Sequence, residues 1–254
     1  MNKTILVFLN YQGSWSTDTK EEIFKKGKII WAGYKPIQFG HDDGVEWDEV
    51  VVVDYSNEDL YNKILENLAK DTIIQTYQVL LIKPIRPEQI EQMNAIFKKG
   101  QDDSSVDFTP GAEIEDVYSG IDTEKWKKLF NGDYQDDIVV MNMNYFRNEP
   151  KYPDDYKGIR KKTTKEAYMA YQLSAMPAMG KSGVLMDIAG RVLEIIVSVR
   201  DIKYNSFAFP HYPSVPAFKS VFTATSRLDS LVHQHAALDM EHGDGYAVRP
   251  YKKF

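Results

Sequence analysis

The chain has 254 residues, of which 43% are hydrophobic, and this is enough to bury a core in two domains of about 100 to 130 residues each. It contains no cysteine, which excludes disulfides, thiolate metal sites and a cysteine nucleophile. The formal net charge of −6 is concentrated between Gln101 and Asp137, where eleven acidic residues face three lysines. Because no basic cluster is present, we expect no nucleic-acid partner.

The apolar stretches are short. The longest, such as Ile5 to Leu9 and Val50 to Val53, have far fewer than the ~20 residues that a helix needs to cross a bilayer. Only five apolar residues follow Lys3 and Thr4 near the N-terminus, too few for a secretion signal. We therefore expect a cytoplasmic protein that does not bind a membrane.

In the first half, apolar patterning predicts a strand, a helix, two strands, a helix and a strand. The strands span Thr4 to Tyr11, Ile29 to Phe39, Glu46 to Tyr55 and Tyr77 to Ile82, with a short polar helix after the first and a helix from Asn57 to Lys70 before the last. The turn between the second and third strands is His41-Asp42-Asp43-Gly44, where Asp-Gly supplies the positive φ of a tight hairpin. This order is that of the split βαβ, or ferredoxin-like, unit.

The second half repeats this order. Its strands are Ile138 to Phe146, Leu185 to Val199, Tyr204 to Tyr212 and Gly245 to Pro250, and its helices are Thr164 to Met179 and an interrupted one from Ser214 to Ala236. Two helical pieces, Pro87 to Lys99 and Thr123 to Phe130, lie between the halves. We predict a first repeat over residues 1–100, an acidic linker with a short helix over 101–136, and a second repeat over 137–254.

Residue matches between the halves indicate a diverged duplication. Leu9-Asn10-Tyr11 returns as Met143-Asn144-Tyr145, and residues 32–56 realign with 189–213 at a constant separation of 157 positions. A ferredoxin-like sheet has one face without helices. The predicted fold class is therefore α+β, with two tandem ferredoxin-like (βαββαβ) repeats closing into an intramolecular pseudo-dimeric α/β barrel whose interior is the ligand cavity.

Polar residues on the first strand of the second half are candidate ligand contacts. Residues alternate between two faces, so Asn142 and Asn144 lie together, opposite an apolar face that includes Met141 and Met143. If that apolar face packs on the helices, both amides point into the barrel. Asn10 is the amide that recurs in the first half. The alternative is that each amide binds a neighbouring loop or a buried water.

Histidines are the candidate bases. His211 follows Pro210 in an internal strand, where the missing N–H predicts a bulge, although a lone histidine is commonly structural. His233 and His235 are two residues apart, which on a helix turns them away from each other, so we predict no metal site.

A group of four residues could orient an anionic or phenolic ligand: Arg147, Tyr168, Tyr171 and Arg227. The spacing of Tyr168 and Tyr171 is also that of two aromatic residues facing a core. The chain has no dinucleotide-binding glycine motif, no P-loop and no nucleophile elbow.

Several short motifs, taken in order, resemble a known family. They are Asp122-Thr123-Glu124, the run from Val139 to Arg147, Tyr152-Pro153-Asp154, Lys165-Glu166-Ala167-Tyr168, Tyr212-Pro213-Ser214, His233-Gln234-His235-Ala236-Ala237-Leu238 and, in the first half, Trp47-Asp48-Glu49-Val50-Val51. On these motifs the chain is similar to an uncharacterised ferredoxin-like family of the dimeric α/β barrel superfamily, related to antibiotic-biosynthesis-type monooxygenases. The residues on matching positions of the pattern are Asn142, Phe146, Arg147 and His233.

The resemblance leaves the activity open. The second repeat has Tyr204-Asn205 where the pattern has Trp-Asp, and the first repeat lacks the histidine, which implies an asymmetric site. The wider superfamily includes cofactor-free monooxygenases of aromatic polyketides, lactone isomerases, haem-degrading enzymes and haem peroxidases. Fold alone does not choose among these activities.

We expect a small apolar or aromatic molecule to bind in the barrel, and the chain to act as a cofactor-independent monooxygenase or isomerase. His211 or His233 would be the base. We expect no metal or cofactor. The ligand contacts would be Asn10, Asn142, Asn144, Phe146, Arg147 and Tyr212. One alternative is a haem protein with an axial histidine. The other is a non-catalytic interaction or assembly module with Phe8, Phe146, Phe207 and Phe209 filling the barrel. Association of two chains into a homodimer stays open.

Overall fold

The computed structural model describes residues 3–12, 24, 27–39, 44–56, 58–101 and 123–251. The strands in this part are β1 (Lys3–Tyr11), β2 (Lys28–Phe39), β3 (Glu49–Tyr55), β4 (Ile74–Pro84), β5 (Ile138–Asn144), β6 (Leu185–Val197), β7 (Ser206–Tyr212) and β8 (Asp244–Pro250). The helices are α1 (Glu58–Lys70), α2 (Pro87–Lys99), α3 (Thr123–Phe130), α4 (Thr164–Lys181), α5 (Val215–Phe222) and α6 (Thr225–Ala237). None of these helices combines the length and apolarity needed to cross a bilayer.

The predicted elements of the described part are all present. The interruption expected in the last long helix lies between Phe222 and Thr225. Gly44 has the positive φ expected of the first hairpin turn, 72°. The predicted helix after β1, the first three residues of that turn and most of the acidic segment lie outside the described residues.

The eight strands form one closed antiparallel barrel in the order β1-β3-β2-β8-β5-β7-β6-β4. The first-half strands are neighbours in the order β4-β1-β3-β2, and the second-half strands in the order β8-β5-β7-β6. The first, second, third and fourth strands of each half therefore follow one another in the same spatial order. The α+β class and the barrel are confirmed.

The residue pairs in the hairpin of one half lie 157 positions from the equivalent pairs in the hairpin of the other half, which is the separation found in the sequence. In the first half Ile29 pairs with Val53, and in the second half Met186 pairs with Pro210. Each hairpin then has one irregularity at the same place, after Ile29 and after Met186. The bulge expected beside Pro210 therefore lies on the facing strand β6.

The first strands of the two halves correspond one position away from the predicted match. Phe8 pairs with Val50, and Met143 pairs with Phe207, which is 157 positions after Val50. Phe8, and not Leu9, therefore corresponds to Met143. A shift of one residue moves every side chain of a strand to the other face, so this correction decides which residues point into the barrel.

Two seams join the halves, β2 with β8 and β4 with β6, and a glycine faces a proline at each. Gly33 pairs with Pro250, and Gly190 pairs with Pro84. A Cβ atom on Gly33 would lie 2.8 Å from the Arg249 carbonyl oxygen, and one on Gly190 would lie 2.8 Å from the Pro84 Cα. Both seams therefore need a residue without a side chain.

The barrel interior is a packed core. Its central aromatic contacts are Phe8 with Tyr246, at 5.1 Å between ring centroids, and Trp31 with Phe209, at 5.0 Å. Further buried members of this cluster are Leu6, Trp47, Val139, Met141, Met143, Phe207 and Val248. Within the described residues, these side chains occupy the interior in which the ligand cavity was predicted. Of the four phenylalanines expected to fill the barrel, Phe146 is not part of this core.

Candidate functional site

A cavity of about 630 Å³ lies outside the barrel, between the outer face of β5 and β7 and the helices that cover it, which include α2 as well as α4, α5 and α6. Its floor includes Asn142, Asn144 and Ala208 of the sheet. The remaining walls come from α2, α4, α5 and α6 and include Phe97, Met93, Tyr168, Tyr171, Met176, Met179, Phe222 and Arg227. This volume lies in the range of small-molecule pockets, about 300 to 1,000 Å³.

The outer face of the sheet explains why this space is open. In the first half, Val7, Leu9 and Val51 are buried on that face, in the cluster that contains α1. The corresponding positions of the second half carry Asn142, Asn144 and Ala208. Two amides and a methyl group take the place of three branched side chains. The space under the helices therefore stays unfilled by the sheet.

Asn142 and Asn144 thus face the helices and not the barrel interior, contrary to the prediction. Val140, on the same face, packs with Phe218 and Val221 of α5. The hydrogen bonds of the Asn142 side chain are long, with its Nδ2 at 3.4 Å from the Val140 oxygen and 3.5 Å from the Ala208 oxygen. Such weak internal bonds leave its amide able to bind a ligand.

Arg227 is the buried cation of the cavity wall. Its Nε donates to the Tyr171 hydroxyl at 3.3 Å, and its Nη1 donates to the Phe222 carbonyl oxygen at 2.8 Å. The guanidinium carbon lies 4.4 Å from the centre of the Phe222 ring. These contacts fix the plane of the guanidinium at the edge of the cavity.

Two phenols beside it are protonated at neutral pH. Burial raises the pKa of Tyr168 and of Tyr212 well above the ordinary value of 10.0. The Asn144 side chain lies near the Tyr168 hydroxyl and opposes this rise in pKa. A neutral phenol keeps an O–H donor, so both hydroxyls can donate to a ligand.

The last turns of α6 bring Gln234 and His235 to the cavity. The Gln234 Oε1 is buried and accepts no hydrogen bond within the described part of the chain. Burial, followed by the nearby positive charge of Arg227, lowers the pKa of His235 from 6.5. The ring is therefore neutral at pH 7, and His235 is an exposed residue of the cavity lining. Sequence reasoning missed both residues as ligand contacts.

The predicted site residues divide into two sets. Asn142, Asn144 and Tyr212 line the cavity, as do Tyr168, Tyr171 and Arg227 of the group expected to orient a ligand. The other predicted residues lie outside its lining: Asn10, Phe146, Arg147, His211 and His233.

His211 lies at one end of the barrel between two carboxylates. Its Nδ1 is 3.1 Å from Asp187 Oδ1, and its Nε2 is 3.2 Å from Asp137 Oδ2. The indole Nε1 of Trp31 donates to the other Asp187 oxygen at 3.1 Å. Both ring nitrogens therefore lie within hydrogen-bond distance of a carboxylate, and His211 links β7 to β6 and to the residue before β5.

The stability of the protein should depend on pH through His211. The hydrogen bond to Asp187, together with Asp137, raises its pKa above 6.5 in the folded state, despite burial. The raised pKa means that the stabilisation is fully present below pH 6.5 and is lost as the pH rises through the folded-state value. Urea unfolding from about pH 6 to pH 9 should show this loss in the wild type and not in His211→Gln. Parallel curves for the two proteins would contradict it.

His233 anchors a loop. The Tyr152 hydroxyl accepts from the Lys161 backbone N–H at 3.2 Å and forms a second hydrogen bond of 2.8 Å with His233 Nδ1, whose direction depends on the ring tautomer. Burial lowers the pKa of His233 from 6.5. The loop over residues 151–162 is thereby held against α6.

The remaining predicted contacts also serve the fold. Asn205 bonds both backbone groups of Phe146, at 3.0 and 3.2 Å. The Arg147 Nε donates to the Leu238 carbonyl oxygen at 3.1 Å. Asn10 donates to the Glu46 carbonyl oxygen at 2.7 Å. These contacts are local to strand ends and provide no opening to the cavity.

No protein-family model and no curated protein matches the chain. Among solved structures, it is similar to a protein of unknown function from Rhodopseudomonas palustris, with 23% identity and a TM-score of 0.44 over 51% of this chain and 94% of that one. A candidate monooxygenase from Lactobacillus acidophilus has 10% identity and a TM-score of 0.40 over 98% and 93% of the two chains. A dye-decolorizing protein from V. cholerae has 8% identity and a TM-score of 0.37 over 97% and 93%. Likeness at this level does not assign a function.

Proposed function

We propose that the protein binds a small, largely apolar or aromatic molecule in the cavity between the second-half sheet and the helices α2, α4, α5 and α6. The observation that carries this proposal is the cavity of about 630 Å³ whose walls are apolar except for a few converging polar groups. Ligand pockets in proteins have this composition, because apolar walls supply affinity while a few polar groups orient the ligand. The proposed ligand site is thus at the outer face of the sheet, whereas the sequence predicted it in the barrel interior.

Methionines make the wall adaptable. Met93, Met176, Met179 and Met186 all line the cavity, together with Phe97. Unbranched thioether side chains change shape at little cost and make favourable contacts with aromatic rings. This wall suits a flat or flexible apolar ligand better than a strongly polar one.

We also propose that the barrel arose from two tandem ferredoxin-like repeats. The matching strand order, the common separation of 157 positions in the two hairpins and the glycine-proline pair at each seam support this origin. On this proposal one repeat kept a packed outer face, and the other acquired Asn142, Asn144 and Ala208 there.

Filling the cavity should abolish binding. Ala208→Phe places a ring on the cavity floor, on a strand that tolerates aromatic residues. We expect at least a tenfold loss of affinity for N-phenyl-1-naphthylamine, a neutral apolar dye, measured by its fluorescence. Ala95→Phe, an exposed substitution on α2 outside the lining, should bind as the wild type does. Lack of dye binding by the wild type, or unchanged affinity in folded Ala208→Phe, would overturn the proposal.

A haem protein is the second candidate function, and His235 is the observation that favours it. It is a histidine of the cavity lining, and its lowered pKa keeps the ring nitrogen unprotonated and able to bind iron. Titration with haemin should then give a Soret band that His235→Ala shifts or removes. A wild type that gives no such band would discard this candidate and leave the first one standing.

A further inference from the structure

We propose that the ligand of this cavity is an apolar alcohol whose hydroxyl group donates a hydrogen bond to the Gln234 side chain. This inference rests on the proposed function and adds the polar group of the ligand to it. The carbon chain of the ligand lies against the methionine-rich wall.

An acceptor without a donor is the first support. Gln234 belongs to the cavity lining, and its Oε1 is buried without a hydrogen bond in the described part of the chain. A buried acceptor that lacks a donor costs free energy, and a ligand that supplies the donor recovers this cost. The terminal torsion of a glutamine side chain is broad, so the amide can turn toward a ligand at little cost.

Helical spacing directs this side chain toward the cavity. Arg227 and Leu238 also belong to the lining, and they lie seven positions before and four positions after Gln234 on or next to α6. Residues at these spacings share one face of a helix. The face of α6 that contains Gln234 is therefore the one that covers the sheet.

Gln234 and Tyr168 lie at the same end of the cavity. Leu238, one helical turn after Gln234, forms a β-bridge with Phe146, two residues after the end of β5. The Phe146 ring packs edge-on against the Tyr168 ring, with 4.8 Å between the centroids. The Asn144 side chain, at the end of β5, lies near the Tyr168 hydroxyl. These contacts gather the amides and the phenol around the end of one strand.

A hydroxyl group is the ligand group that suits this end of the cavity. It can donate to the Gln234 Oε1 and accept from the Tyr168 O–H, which burial keeps protonated. An ether or ketone oxygen only accepts, and a carboxylate at neutral pH has no proton to donate. Of these groups, the hydroxyl alone satisfies both side chains.

The carboxylates of the lining already have donors. Asp239 accepts from Arg147 at 3.3 Å, and Asp244 accepts from Arg200. A ligand hydroxyl gains more at Gln234 than at either carboxylate, because there it supplies a donor that the described part of the protein lacks.

A separate apolar cluster can hold the carbon chain of the ligand. Phe97 and Met186 form its buried centre, with Met93, Met176 and Met179 packed around them. It brings together α2, β6 and the second half of α4, whereas the unpaired acceptor lies on α6. One cavity thus contains a polar end and an apolar wall, which match the two parts of an apolar alcohol.

The test compares decanol with methyl nonyl ether as competitors of N-phenyl-1-naphthylamine at pH 7. The two compounds are equal in size, but only the alcohol can donate a hydrogen bond. We expect decanol to bind the wild type about threefold more tightly, although an alcohol gives up more hydration than an ether does.

Gln234→Met keeps the length of the side chain and removes its acceptor. It should lower the affinity for decanol about fivefold and leave the affinity for the ether within about twofold, because the apolar wall is intact. Gln92→Met is the same substitution at an exposed position of α2 outside the lining and should leave both affinities unchanged.

The outcomes separate this inference from the proposed function. If the dye and the ether bind but decanol binds no better than the ether, the alcohol proposal is wrong and the apolar site remains. If neither the dye nor the ether binds, the proposed function itself fails. An unchanged affinity for decanol in folded Gln234→Met would overturn the assigned position of the hydroxyl group. Should that variant not fold, the comparison of the two compounds on the wild type still decides the proposal.

Discussion

Replacing Gly190 with alanine is expected to lower the free energy of unfolding by about 1 to 3 kcal/mol, the usual cost of forcing extra atoms into a packed site. The new Cβ would collide with the Lys83 carbonyl oxygen and lie 2.8 Å from the Pro84 Cα. Both are backbone atoms of β4, so neither can turn away as a side chain would. Strand β6 would have to move off β4 and open the seam between the halves. Urea unfolding followed by circular dichroism measures the loss.

Gly245→Ala is the matched control for this substitution. Gly245 also lies in a strand, but a Cβ there would meet Phe39 at 3.8 Å, an ordinary contact distance. We expect a change within about 0.5 kcal/mol. Wild-type stability in Gly190→Ala would show that β4 and β6 can separate without cost, which the fold described above does not allow.

Replacing Asp244 with leucine should have a still larger effect, a loss of about 3 to 5 kcal/mol, as found when one partner of a buried ion pair is removed. The Asp244 side chain is 0% exposed and binds both Arg200 and the Tyr204 hydroxyl through Oδ2. Its Oδ1 accepts from the Gln38 Nε2 at 3.3 Å. Burial raises the pKa of Tyr204 above 10.0, so the phenol stays protonated and its O–H can donate a hydrogen bond. Leucine would leave all three donors without this acceptor.

Asp229→Leu tests whether the loss comes from burial and not from charge. Asp229 lies exposed on α6, and the substitution changes the net charge by the same amount. We expect a change within about 0.5 kcal/mol, measured by urea unfolding at a single pH. Equal effects of the two substitutions would contradict a structural role for the Asp244 network.

The sequence predicted the elements and the hairpin correspondence well, because both depend on local patterns. The sequence did not predict which face of β5 points into the barrel. Its residues are apolar on both sides, Val139 and Met141 on one and Val140 on the other, since one face meets the barrel core and the other meets α5. Alternation identifies a buried face only when the opposite face is polar. The direction of Asn142 therefore could not be read from the strand itself.

The environment of the histidines depended on distant contacts. His211 binds Asp137, 74 positions away, and Asp187, 24 positions away. No local pattern indicates such partners. By contrast, Arg227 and Tyr171, 56 positions apart, were grouped by residue type alone as suited to an anionic or phenolic ligand, and the structure places them within hydrogen-bond distance while leaving Arg147 of the same group outside the cavity lining. The cavity itself could have been suspected from Ala208, which stands where the first half has Val51.

Ring closure of the sheet limits how this molecule can associate with others. Strands β2 and β4 are occupied on their outer sides by β8 and β6, so every strand of the described part has two neighbours. The described strands therefore offer a second chain no row of open backbone N–H and C=O groups to which it could add a strand. A homodimer formed through this part of the chain would have to use side chains on helices and loops.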